Sequence, residues 1–353
     1  MDLDSKKILK TLNPRKIWIP VAIGLAIVFY LFYSDPTVSA DNLRLLFDAD
    51  IGYFTLAWLL IIARGAGYIY RIREISDKQL SWVSCIYVII LWEFASAVTP
   101  SVVGGTAVAV FILLKEGINL GKSLAFVMLT AIMDNMFFVI AAPLAIMFNP
   151  ETVFPDIKNL SLAGGESLQY LFYISYSLIA LYTLIMAYAL FVKPRAFKWI
   201  LLKLTTLNFL RKWRQSANEQ GNEIILASQQ IRGKGFTYWL KIVLSTTFIW
   251  TIRYLQLNVL MSSFVGISFS EHFLIFARQI VLWIIMLISP TPGSSGTAEF
   301  FFPAFFEQFL GNYTLISNIF WRMMSFYPYL LLGAIFLPRW IRRVFFISKK
   351  AKN

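Results

Sequence analysis

Cysteine and histidine each occur once, as Cys85 and His272. A single cysteine excludes an intrachain disulfide, and one residue of each kind excludes the His and Cys clusters that hold zinc. A Ser-His-Asp triad could draw only on His272, and nothing near it resembles a nucleophile elbow. A Gly-rich nucleotide loop is absent as well. No metal or other cofactor is expected. Charge is equally scarce: Asp, Glu, Lys and Arg make up 14% of the 353 residues, against about 25% in soluble proteins. Hydrophobic residues reach 58% and aromatic ones 17%. That balance excludes an ordinary soluble domain and a disordered chain.

What charge there is carries a pattern. The net charge is +13, which in a soluble protein would suggest nucleic acid. Here the basic residues lie between long apolar runs without a folded nucleic-acid module, so anionic lipid headgroups are the expected partner. A transmembrane helix needs about 20 mostly apolar residues. The runs 17–33, 51–70, 123–148, 168–191, 236–262 and 313–337 meet that requirement. The first follows a basic stretch but has no small-residue cleavage site after it, and reads as a retained helix rather than a signal peptide.

Segments 1–16, 71–81, 115–122, 193–235 and 338–353 hold 25 of the 32 Lys and Arg residues, while 34–50 and 149–167 hold only Arg44 and Lys158. The positive-inside rule puts the first set, and both termini, in the cytoplasm. Two apolar stretches are interrupted. Segment 82–114 is broken at Thr99-Pro100 and at Gly104-Gly105, and segment 272–310 at Ser289-Pro290-Thr291-Pro292-Gly293. Each begins and ends on one side, so each must enter the membrane and return as a helical hairpin or re-entrant pair, turning where Pro and Gly break helices. Irregular backbone cannot face lipid, so these turns should be buried or line a wet cavity.

The two hairpins are alike. Thr99-Pro100 followed by Gly105-Thr106-Ala107 aligns, with one residue deleted, with Thr291-Pro292 followed by Gly296-Thr297-Ala298. Each is followed by a long span with a charge near its middle: Asp134, 27 residues after Ala107, and Arg322, 24 residues after Ala298. Entry from opposite sides makes the repeat inverted, an arrangement that in transporters puts the site at the repeat interface near the midplane. The expected fold is an all-α polytopic membrane protein, a single membrane domain over 1–353. It has about six full spans plus two Pro/Gly-broken hairpins in repeats 82–148 and 272–337.

Arg64, Glu93, Asp134, Arg253, Arg278, Glu299 and Arg322 all fall inside apolar stretches. A charge at the bilayer centre costs about 2.5–3.5 kcal/mol or more, so such groups pair, snorkel or line a polar path. One reading is a path that holds an anionic headgroup on arginines, whose forked donors match phosphate oxygens. The other is that pairs such as Asp134–Arg322 only lock helices together. Arg64, six residues from the end of its run, could snorkel. His272, beside Glu271, reads as interfacial. Between 195 and 232, apolar Phe197, Trp199, Ile200 and Leu204 alternate with basic Arg195, Lys198, Lys203 and Arg211. This is the pattern of a basic amphipathic helix on the membrane surface.

The run Trp92-Glu93-Phe94-Ala95-Ser96-Ala97-Val98-Thr99-Pro100-Ser101-Val102-Val103-Gly104-Gly105, taken with Ser289-Pro290-Thr291-Pro292-Gly293-Ser294-Ser295-Gly296-Thr297-Ala298-Glu299, resembles the flippase-like membrane domain family. This is the membrane part of lysylphosphatidylglycerol synthetases and of free-standing relatives. The resemblance implies a bacterial or archaeal inner-membrane protein, and in the fused members this domain is similar to a flippase for aminoacylated phosphatidylglycerol; the expected partner here is an anionic or aminoacylated phospholipid or a polyprenyl-phosphate lipid. Pro100, Gly104, Gly105, Pro290, Pro292, Gly293, Gly296 and Glu299 match its pattern. Ser294 departs from it, standing where the family often has a second Gly. The aminoacyl-transferase domain of the fused members has no counterpart here, so the chain is not expected to make lysylphosphatidylglycerol. An intramembrane enzyme, an accessory subunit for lipid-linked glycan or aminoacyl-lipid synthesis, and a scaffold remain the alternatives; homo-oligomerisation is left open.

Overall fold

In the computed structural model, residues 45, 47–99, 102–148, 152–155, 167–207, 210–287, 294 and 296–347 are described. Among them the chain is helical, with no strand. The helices are α1 (Ile51–Ile75), α2 (Trp82–Val98), α3 (Val102–Lys115), α4 (Leu120–Phe148), α5 (Ser167–Ala187), α6 (Pro194–Leu204), α7 (Arg214–Arg232), α8 (Phe236–Ser262), α9 (Phe269–Met286), α10 (Thr297–Leu310), α11 (Thr314–Ser325) and α12 (Tyr327–Ile341). The run 17–33 and the turn residues Pro100, Pro290, Pro292 and Gly293 lie outside the described residues.

Local chemistry sets the helix ends. The Asp50 side chain accepts from the Tyr53 amide to start α1, and Ser81 accepts from the Ser84 amide to start α2. Helix α9 opens with a capping box of Ser268 and Glu271. Helix α2 stops at Thr99, which is extended at φ −102°, ψ 137°. Proline clashes with an α-helical residue before it, so Pro100 dictates that conformation. At the start of α10, Gly296 has φ 90°, and the Glu299 carboxylate accepts from the Gly296 amide at 2.7 Å. A left-handed φ of this kind is open to glycine at no steric cost.

Helices α1, α4 and α9, together with Leu168–Val192 and the helical stretch Thr297–Val344, are long and apolar enough to cross a bilayer. The chain is thus a helical protein of membrane-spanning type. Helix α8, with 27 residues, is about 40 Å long but carries Lys241 and Arg253. Four boundaries differ from the sequence reading. Helix α1 continues to Ile75, so Arg71 is part of it and not of a loop. Helix α3 starts at Val102, so Gly104 and Gly105 sit inside a helix and not at the break. The run 313–337 divides at Phe326 (φ −122°, ψ −57°), where Pro328 at the head of α12 lacks an amide for continuing the ladder. The basic segment 195–232 is two helices, α6 and α7, packed on each other.

Two apolar clusters form the interior. One joins α2, α3 and the first half of α4 to α12; the other joins the second half of α4 to α8, α9 and α10. Close crossings depend on glycine. A Cβ on Gly67 of α1 would lie 2.9 Å from Ile249 of α8, and one on Gly333 of α12 would lie 2.2 Å from the Phe94 ring of α2. Without a hydrophobic drive between helices in lipid, such close backbone approach is a main source of packing energy.

Candidate functional site

A cavity of ≈310 Å³ lies where the two clusters meet. Helices α1, α2, α4, α8, α9, α11 and α12 all contribute to its wall. Both interrupted stretches reach it: Ser96, Thr99 and Thr106 from the first, Met286, Leu287 and Ser294 from the second. The arms of the first stretch touch closely, since a Cβ on Gly105 would lie 2.3 Å from the Ser96 hydroxyl.

Of the seven charged residues singled out from the sequence, Glu93, Asp134, Arg253 and Arg322 line this cavity. Asp134 is fixed by three hydrogen bonds from two residues. Arg71 grips it with both terminal nitrogens, at 2.5 and 3.0 Å, and the Trp250 indole donates to it at 2.8 Å. Arg71 also donates to Thr246 at 3.0 Å. The fork of Arg71 therefore orients a carboxylate that is itself open to the cavity. Asp134 and Arg322, the pair suggested by their matching positions, have separate partners. Arg322 lies 2.7 Å from the fully buried Glu299 and stacks 4.3 Å over the Phe326 ring.

Arg64 does not snorkel. It is buried, donates to the Tyr329 hydroxyl at 2.6 Å and stands 3.7 Å from Glu93. Glu93 keeps a quarter of its side chain exposed, so it is loosely paired and faces the cavity. Arg278 lies away from the cavity lining. Its guanidinium donates to the Thr152 carbonyl at 2.7 and 3.0 Å and to the Phe305 carbonyl at 2.7 Å.

Arg253 is different from all of these. Its guanidinium lies 4.3 Å from the Trp283 ring centre and 5.2 Å from that of Trp250. Among the described residues it makes no ion pair and no hydrogen bond. A cation on aromatic faces is held by ring quadrupoles, at about 0.5–2 kcal/mol, yet its donors stay available. The cavity thus offers a fixed carboxylate, a loosely paired one and a positive charge without a carboxylate partner. Such a site can bind an anion and orient a polar group beside it.

The family model described as the lysylphosphatidylglycerol synthase TM region matches residues 17–333. The chain belongs to this family. An Archaeoglobus fulgidus relative, named a UPF0104 membrane protein, is 24% identical over 288 residues, covering 80% of this chain and 81% of the relative. The matched region is the family's membrane part, and in this member it takes in both interrupted stretches and every cavity charge.

Sequence reasoning missed Arg71, Tyr68, Trp250 and Trp283 in this lysylphosphatidylglycerol synthase-type membrane region. A signal for the first two existed. Arg64, Tyr68 and Arg71 are spaced i, i+4 and i+7, one face of a single helix. Counting Arg71 as a loop cation hid it. The two tryptophans carried no such signal, because 11 tryptophans are spread through the chain and only packing selects the two that face Arg253. His272 makes an ordinary local contact: Asn258 donates to its carbonyl at 2.8 Å. No group of three or more His, Cys, Asp or Glu side chains that could hold a metal occurs among the described residues.

Proposed function

We propose that this family member moves a phosphate-bearing lipid between the leaflets of a bacterial or archaeal cytoplasmic membrane. The observation that carries the reading is Arg253, stacked on two tryptophans at the wall of a cavity to which both interrupted stretches contribute. A phosphodiester brings one negative charge and acceptor oxygens to a guanidinium whose donors are available. Arg322 stands on the same wall, softened by Glu299. Asp134 and Glu93 balance charge or receive an amino or hydroxyl group of the headgroup. Acyl chains remain in lipid between the helices.

In this reading α2–α3 and α9–α10 are re-entrant hairpins of an inverted repeat, and they form a cavity open alternately to each leaflet. Both termini are cytoplasmic. The chemistry is transport, with no bond made or broken. The test is leaflet exchange in liposomes holding the purified protein, with headgroup-labelled phosphatidylglycerol, aminoacylated phosphatidylglycerol and a polyprenyl phosphate. Exchange of at least one lipid that is lost in Arg253→Gln and Arg322→Ala is the expected result. Folded protein that exchanges none of them refutes the proposal, and a new lipid product in the mixture would instead favour an intramembrane enzyme.

A further inference from the structure

Beside the main cavity lies a second, smaller chamber of ≈30 Å³, which shares Arg253, Trp283 and Trp321 with it. A water needs about 10–15 Å³ of such space, so this chamber has room for one small guest. Its polar wall is one-sided in chemistry. No carboxylate lines it. Tyr254 and Gln256, 4% and 2% exposed, both line it, and the Tyr254 hydroxyl and the Gln256 side-chain nitrogen are buried without a hydrogen-bond partner among the described residues. The nitrogen of Gln279, also on this wall, is already engaged by the Tyr254 carbonyl and by Asn258.

Buried donors left unsatisfied are costly, more so beside a cation in a low-dielectric interior. The guest that answers all three groups accepts hydrogen bonds and carries negative charge. Leu257, Leu282, Met286, Ser325 and the two indoles close the rest of the chamber. Such walls favour an anion that loses its water easily. We propose that this chamber is a binding site for a monovalent anion of halide size, held by Arg253, the Tyr254 hydroxyl and the Gln256 amide. The anion balances Arg253 when the main cavity is empty, so an anionic headgroup and the halide share one cation. The site stands on its own geometry and does not depend on lipid movement.

The test uses the full chain in detergent, with sodium bromide compared to sodium gluconate at equal ionic strength. A saturable rise in melting temperature with bromide is expected, together with an anomalous-scattering peak in the chamber. Tyr254→Phe removes only a hydroxyl that has no hydrogen-bond partner among the described residues, so it should fold at least as well as the parent. It and Gln256→Leu should each weaken bromide binding about tenfold, the size of one lost hydrogen bond. Arg253→Gln should abolish it. Equal melting in both salts overturns the proposal. So does bromide found only at exposed cations, density of water without anomalous signal, or a bromide response unchanged by Tyr254→Phe and Gln256→Leu.

Discussion

Arg253 and Arg278 sit on neighbouring helices, α8 and α9, each within a long apolar run, yet the fold treats them in opposite ways. Each guanidinium nitrogen of Arg278 donates to a backbone carbonyl, that of Thr152 or Phe305, which fastens the segment before α5 and the middle of α10 to α9. Arg253 meets the faces of two tryptophans and the cavity. The difference teaches that an intramembrane charge is not by itself a functional site. What matters is whether the fold has already used its donors. A saturated guanidinium is a rivet, whereas one held only by aromatic rings is stable and still able to bind.

The largest stability effect should come from the rivet. Arg278→Met removes three hydrogen bonds, one to the buried Phe305 carbonyl and two to the part-buried Thr152 carbonyl, and should lower stability by about 3 kcal/mol, read as a fall in melting temperature. Leaflet exchange by the protein that remains folded should persist. Exchange abolished at unchanged melting temperature would erase the contrast between the two arginines.

Breaking the cavity's fixed pair comes next. Asp134→Leu strands the Arg71 charge, and because Asp134 is partly exposed the loss should be about 2 kcal/mol rather than the full cost of a buried pair. The double variant Arg71→Met/Asp134→Leu should regain much of that, since two apolar side chains replace two charges that need each other. A thermodynamic cycle over the four proteins measures the coupling. A helix-cap control follows: Ser268→Ala removes the side-chain acceptor of the α9 capping box and should cost about 1 kcal/mol, with exchange unchanged.

The smallest stability effect belongs to Arg253→Gln, below about 1 kcal/mol, and it should be paired with the deepest loss of lipid exchange, at least about tenfold, or 1.4 kcal/mol in the barrier. A variant that lost as much stability as Arg278→Met would show that Arg253 is a second rivet.

Much of this was legible beforehand. The apolar runs 51–70, 123–148, 168–191 and 236–262 reappear as α1, α4, α5 and α8, because helix formation in lipid follows from length and hydropathy alone. The stop at Thr99 followed from Pro100. Described residues from both interrupted stretches, among them Ser96, Thr99, Met286 and Ser294, line one cavity. Less legible was the extent of helices past a charge. Arg71 looked like the first loop residue until Asp134 and Thr246 supplied partners that let α1 continue. The break at Phe326 was hidden because a Tyr-Pro pair within an apolar run can begin a helix as readily as kink one.

Which runs are apolar enough to cross a membrane, that charges inside them need partners, and that helices stop before proline are consequences of the amino-acid sequence alone. They depend on the transfer free energies of side chains and on the backbone limits of proline, which act over a few residues. Partner choice is a different matter. Asp134 could have met Arg322 and instead meets Arg71, while Glu299 takes Arg322, and Arg253 takes tryptophans in place of a carboxylate. Those choices join residues distant in the chain and depend on helix rotation and on close crossings such as Gly67 on Ile249. Packing in three dimensions alone decides them, and with them which charge is left available to bind.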